Sequence, residues 1–134
     1  MADIKSSADR PLSPHLQIYR LTMPFLMSGF HRVTGVVLYF GMLIPAAWLL
    51  AAASGPDWFD SVNSLIGTFL GRLVLFGYTW GLIHHMLGGV RHLIWDTGRG
   101  LDRVSIEIFA WATIIGSVSL TAAVWLAVFL LGGL

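Results

Sequence analysis

Three stretches of this 134-residue chain carry no Lys, Arg, Asp or Glu: Val33–Pro56, Leu73–Val90 and Ile108–Leu134. An uncharged apolar run of about 20 residues is what an α-helix needs to cross the roughly 30 Å hydrocarbon core of a bilayer. The chain is 56% hydrophobic and 11% charged. A water-soluble domain of this length could not bury so much apolar surface. The expectation is an all-α integral membrane domain over residues 1–134, with three transmembrane helices at about 28–53, 65–93 and 106–131. Residues 1–24 read as a cytoplasmic, surface-lying segment. A net charge of +1 without a basic cluster argues against nucleic acid as a partner. With no Cys, the chain can form no disulfide and offers no thiolate to an iron–sulfur cluster.

The second stretch is the unusual one. Gly77–Asp96, GYTWGLIHHMLGGVRHLIWD, holds His84 and His85 inside its apolar part and ends in Arg91, His92 and Asp96. Ionisable groups within a span are costly and mark functional sites. At about 100° per residue, His85 and His92 fall about 20° apart on one helix face, roughly 10 Å apart along the axis. His84 aligns instead with Arg91. Gly77, Gly81, Gly88 and Gly89 share the face of His85. Glycines around one imidazole leave a flat gap beside a potential axial ligand, as a haem would require. The same glycines also suit close helix packing, with the histidines as interhelical hydrogen-bond partners. Spacing alone leaves both readings open.

Ahead of the first stretch, Met1–Arg10 is polar and lacks the apolar core of a secretory signal and the Arg-rich, acid-poor character of a transit peptide. In Arg10–Pro24, three prolines (Pro11, Pro14 and Pro24) block a long helix and favour an extended segment at the membrane surface. Ser28 and Arg32 are four apart and so share a helix face, with His31 beside them. They serve either as boundary anchors, with Arg32 snorkelling to phosphates and Ser28 bonding its own backbone, or as a polar mouth for an amphiphile with carbonyl oxygens. Ser54–Ser64 reads as a turn-rich loop, with Trp58 and Phe59 in an interfacial belt. Arg72, early in the second helix, is expected to snorkel outward. The third helix, without an ionisable group, reads as structural, with Ser117, Ser119 and Thr121 as packing residues.

Lys and Arg set the orientation. Lys5, Arg10, Arg20 and Arg32 precede the first span, and Arg91, Arg99 and Arg103 flank the second loop, whereas the first loop holds only acids. A cytoplasmic N-terminus follows. It gathers Ser28, His31, Arg32, Arg91, His92 and Asp96 at one membrane surface.

Three segments, RPLSPHLQIY (10–19), SGFHRVTG (28–35) and HMLGGVRHLIWD (85–96), resemble the cytochrome b556 membrane subunit of succinate dehydrogenase, respiratory complex II. The family pattern of a histidine, five residues and Arg-His fits His85, Arg91 and His92. The resemblance implies a membrane anchor of a succinate:quinone oxidoreductase in a bacterial cytoplasmic (inner) membrane, acting in electron transport and the tricarboxylic acid cycle. It implies haem b held jointly with a second small membrane subunit that supplies the other ligand. Iron–sulfur and flavoprotein subunits would carry electrons from succinate, whose oxidation takes place on another chain. His85 would be the axial ligand to the haem iron. His31 and His92, with help from Arg91, would approach the propionates. Ser28 and Arg32 would line the site of the quinone, expected to be ubiquinone. Asp96 matches a family aspartate near the same surface, and His84 is not required by the pattern. The competing reading from a different class is a small transporter or channel subunit, in which His84, His85 and Arg91 form a proton or ion path.

Overall fold

The computed structural model describes Ile18 and residues 20–132. The surface segment expected over 1–24 therefore lies mostly outside the described residues. Five helices follow in order: α1 Met23–Gly41, α2 Leu43–Ser54, α3 Pro56–Ile66, α4 Phe69–Asp96 and α5 Arg103–Leu130. No strand occurs among the described residues. Among the described residues, three helical runs are long and apolar enough to cross a membrane: Met23–Ser54 (α1 with α2), Phe69–Asp96 and Arg103–Leu130.

The first run is not one smooth helix. Pro45 has no N–H to offer the Gly41 carbonyl four residues back, and its ring crowds that carbonyl. Met42 keeps a helical backbone (φ −58°, ψ −21°), so the run loosens there without turning, α1 ending at Gly41 and α2 starting at Leu43. Just before this point α1 passes close to α4, and a Cβ on Gly41 would meet the Tyr78 ring at 2.6 Å.

The stretch Ser54–Ser64, expected to be loop, is instead mostly helical, as α3. Its turn-forming residues are also helix starters. Gly55 reverses the chain at φ 123°, Pro56 takes the first helical position, and Asp57 complements the dipole in the first turn. Trp48 Nε1 donates to Asn63 Oδ1 at 3.0 Å, tying α3 back to α2. The next helix begins at Phe69, not Leu65, because Thr68 caps it by accepting from Gly71 N at 3.1 Å. A side chain at Gly71 would collide with the Leu65 and Ile66 carbonyls, so glycine permits this tight α3–α4 turn.

The α4–α5 turn uses Gly98 (φ 75°) and Gly100 (φ 68°). Asp102 then caps α5 by accepting from Ser105 N at 3.0 Å, and hydrogen bonding from Ser105, its side chain first and then its backbone, holds the carboxyl below the usual carboxylate range.

Helix α4 is central and packs on both α1 and α5. The buried apolar residues are few: Met27, Ala51, Ile83 and Ala110. Buried polar residues outnumber them: Thr34, His84, Arg91, Thr113, Ser117 and Thr121. Large apolar side chains such as Phe69, Leu70 and Leu130 face outward. Small and polar inside with apolar outside is the packing expected of helices whose solvent is lipid. On α5, Thr113, Ser117 and Thr121 donate to the carbonyls of Phe109, Ile114 and Ser117 at 2.7, 2.9 and 2.7 Å. They are satisfied within their own helix and leave it slim on the α4 side.

Candidate functional site

Helices α1 and α4 bring three histidines together. The His31 and His85 rings stack with centroids 4.0 Å apart and planes 11° apart. His92, one side of whose ring meets Trp95, lies 5.3 Å from His31. Glycine makes the approach possible. A Cβ on Gly88 would collide with the His31 ring, and one on Gly35 would sit 3.0 Å from His85 Cε1. Gly88 is therefore a packing glycine, not an open gap. Gly77, Gly81 and Gly89 differ, since no heavy atom lies within 4 Å of where their Cβ would be.

The bonding of His85 is directional. Its Nδ1 lies 3.1 Å from the His31 carbonyl and 3.3 Å from Thr34 Oγ1. The carbonyl can only accept. Thr34 commits its proton to the Phe30 and His31 carbonyls, at 2.8 and 3.1 Å, so it too presents a lone pair. Two acceptors on one nitrogen assign the proton to Nδ1. Nε2 then keeps its lone pair, and among the described residues it has no hydrogen-bond partner. This is the form in which a metal-ligating imidazole is held, one nitrogen donating to a carbonyl and the other free to coordinate.

Thr34 is not among the residues expected from sequence. The available signal is a polar residue in an apolar span, one helical turn beyond His31. Its relevance depends on α4 packing against that turn, which no single-helix pattern reveals.

Two side-chain nitrogens are buried without a partner among the described residues, His31 Nε2 and Arg91 Nε. A polar group left so is costly unless something else satisfies it. Arg91 does not join the histidine stack. Its guanidinium carbon lies 5.1 Å from the centre of the Trp95 ring, and the side chain lines a cavity of about 150 Å³ against Phe109 and Thr113 of α5. His84 also turns to α5. It is almost fully buried, with Nδ1 3.3 Å from Ser117 Oγ and Trp80 against its ring. Ser28, Arg32 and Asp96 are exposed, and none makes a hydrogen bond or ion pair among the described residues. Ser28 thus does not bond its own backbone, as Thr34, Thr79 and Thr113 do.

The family model described as succinate dehydrogenase/fumarate reductase transmembrane subunit matches residues 6–124. The chain belongs to this family. The succinate dehydrogenase cytochrome b556 subunit of Paracoccus denitrificans is 40% identical over 90% of this chain and 92% of its own length. That of Rickettsia felis is 36% identical over 87% and 90%. The mitochondrial succinate dehydrogenase cytochrome b560 subunit of Sus scrofa is 37% identical over 86% and 72%. The matched region contains the whole α1–α4 seam. By family and by its relatives, the chain is a succinate dehydrogenase cytochrome b membrane subunit.

Proposed function

We propose that this chain is the cytochrome b membrane subunit of a succinate:quinone oxidoreductase. In this reading it binds haem b together with a second small membrane subunit, and it forms part of the quinone-reduction site beside an iron–sulfur subunit. A flavoprotein subunit would oxidise succinate. The chain would lie as one membrane domain with its N-terminus cytoplasmic, in the cytoplasmic membrane. The observation that carries the reading is the bonding of His85, whose Nδ1 is pinned between the His31 carbonyl and Thr34.

In this reading His85 Nε2 would hold the haem iron, and the partner subunit would supply a second ligand. The haem, when bound, accepts and releases single electrons. This chain's residues would hold and orient it. His31 Nε2 and Arg91 Nε lack partners among the described residues; propionate oxygens at the boundary would accept from His31 in its Nε2–H tautomer, and from Arg91 if its side chain turns from the α5 cavity. His92 would be the third contact. Gly77, Gly81 and Gly89 leave open space for the flat ring along the helix.

Ser28 and Arg32 are exposed on α1, four residues apart, with their polar atoms uncommitted among the described residues. They would bind the two-carbonyl head of a quinone, with ubiquinone as the expected substrate. A hydroxyl can donate to one carbonyl oxygen, and a guanidinium stabilises negative charge developing on it.

The transporter reading is less well supported. His84 is buried against Ser117 of α5, its hydrogen-bond partner, with the Phe30 ring of α1 6.1 Å away, so apolar packing and not water surrounds it. The test is a dithionite-reduced minus oxidised spectrum of the purified complex. It should show the bands of a b-type haem at one per copy of this chain, and their absence would remove haem ligation from the proposal.

A further inference from the structure

A cavity of about 380 Å³ lies away from the histidine seam, between α3, α4 and α5. Its polar lining is Arg72, Asn63 and Thr79, and its apolar wall includes Val124, Trp125 and Val128. Arg72 and Thr79 are seven apart on one face of α4. That face is roughly 120–140° around the helix from His85, so it does not point toward the α1 seam. Arg72 precedes Arg91 by about 28 Å along the helix axis, close to one hydrocarbon thickness. The cavity therefore opens at headgroup depth in the leaflet opposite His92.

Its charge is unbalanced. Arg72 makes no ion pair among the described residues, and the nearby α3 acids Asp57 and Asp60 do not line the cavity. Asn63 is oriented by Trp48, which donates to its Oδ1 at 3.0 Å. That leaves the Asn63 amide protons uncommitted. Thr79 spends its proton on the Leu75 carbonyl and donates nothing more. The cavity thus offers a guanidinium and an amide N–H₂ above an apolar slot, which suits a phosphate with a hydrocarbon chain attached.

We propose that this cavity binds one anionic glycerophospholipid from the leaflet on the Arg72 side. Arg72 and Asn63 hold the phosphate diester, and an acyl chain lies along Val124, Trp125 and Val128. The site is separate from haem and quinone, and it does not depend on either.

The experiment uses the whole purified complex, delipidated by detergent exchange. Phosphatidylglycerol, phosphatidylcholine or inorganic phosphate is then added back. Native mass spectrometry counts retained lipid, and thermal melting reports stabilisation. Wild type should retain one phosphatidylglycerol in preference to phosphatidylcholine and melt higher with it. Arg72→Gln should weaken that retention about tenfold or more, the loss of a charge-assisted contact, and abolish the preference between headgroups. Arg72→Lys should keep most of both. Val124→Trp, which fills the slot, should lose the lipid whatever its headgroup. Equal retention of the two lipids by wild type, an unchanged preference in Arg72→Gln, or a bound lipid surviving in Val124→Trp would each overturn the proposal. So would stabilisation by inorganic phosphate equal to that by phosphatidylglycerol.

Discussion

His84 and His85 are neighbours in sequence with opposite surroundings. His85 faces α1, where two acceptors hold Nδ1, and it remains partly open. His84 faces α5, with 1% of its surface exposed and Ser117 as its partner. The 100° step between adjacent helical residues makes this difference. One seam is built around a ring with a free lone pair. The other is built around a ring used as a polar strut between slim helices. A buried imidazole is therefore informative only when its second nitrogen is considered.

The largest expected effect sets the two rings against each other. His85→Ala should abolish the b-type haem spectrum, whereas His84→Ala should keep it and cost only stability. Reduced-minus-oxidised spectra at matched complex content would decide, and the reverse pattern would break the assignment of the seams. The glycines sharpen the same contrast. Gly88→Ala drives a methyl into the His31 ring, and overpacking of this kind costs about 1–3 kcal/mol. Gly29→Ala meets nothing within 4 Å, lies outside the space given to the haem, and should melt at or slightly above wild type. Equal melting of these two variants would mean that α1 and α4 are not so closely packed.

Next come the exposed pair on α1. Arg32→Leu should lower quinone reduction more than Ser28→Ala, for which a lost neutral hydrogen bond is worth about 0.5–1.5 kcal/mol, a several-fold change. Arg32→Lys should recover only part, because an ammonium lacks the guanidinium fork. The readout is the ratio of quinone-linked activity to artificial-acceptor activity. An unchanged ratio in all three variants would make the pair membrane anchors. The smallest effect is expected on the α5 side. Ser117→Ala should cost about 1 kcal/mol or less in stability and leave the haem spectrum unmoved. A spectral shift in that variant would mean that the two seams are coupled.

Much of this arrangement is legible in the amino-acid sequence. The charge-free runs at Val33–Pro56 and Ile108–Leu134 could hardly be anything but membrane helices. The helical period alone turns His85 and His84 to different faces. Three features are not legible there. The helix α3 is hidden because Gly55, Pro56 and Asp57 signal a turn and a helix start equally well. The orientation of Arg91 toward Trp95 and α5, away from the histidine stack, depends on which neighbour fills each face of α4. The part played by Thr34 requires knowing that α4 lies beside that turn of α1.

The loosening before Pro45 has a mechanical consequence. As a straight rod, the 32 residues of Met23–Ser54 would be about 48 Å long, far more than a bilayer's hydrocarbon core. A rigid helix of that length can fit a thinner bilayer only by leaning as a whole, and leaning would drag the His31 end across α4. With one backbone bond missing at Pro45, the run bends more easily there than elsewhere, so a change in the tilt of α2 is passed less fully to α1, which Gly35 and Gly88 keep against α4. The proline thus loosens the link between the thickness of the surrounding lipid and the alignment of the histidines.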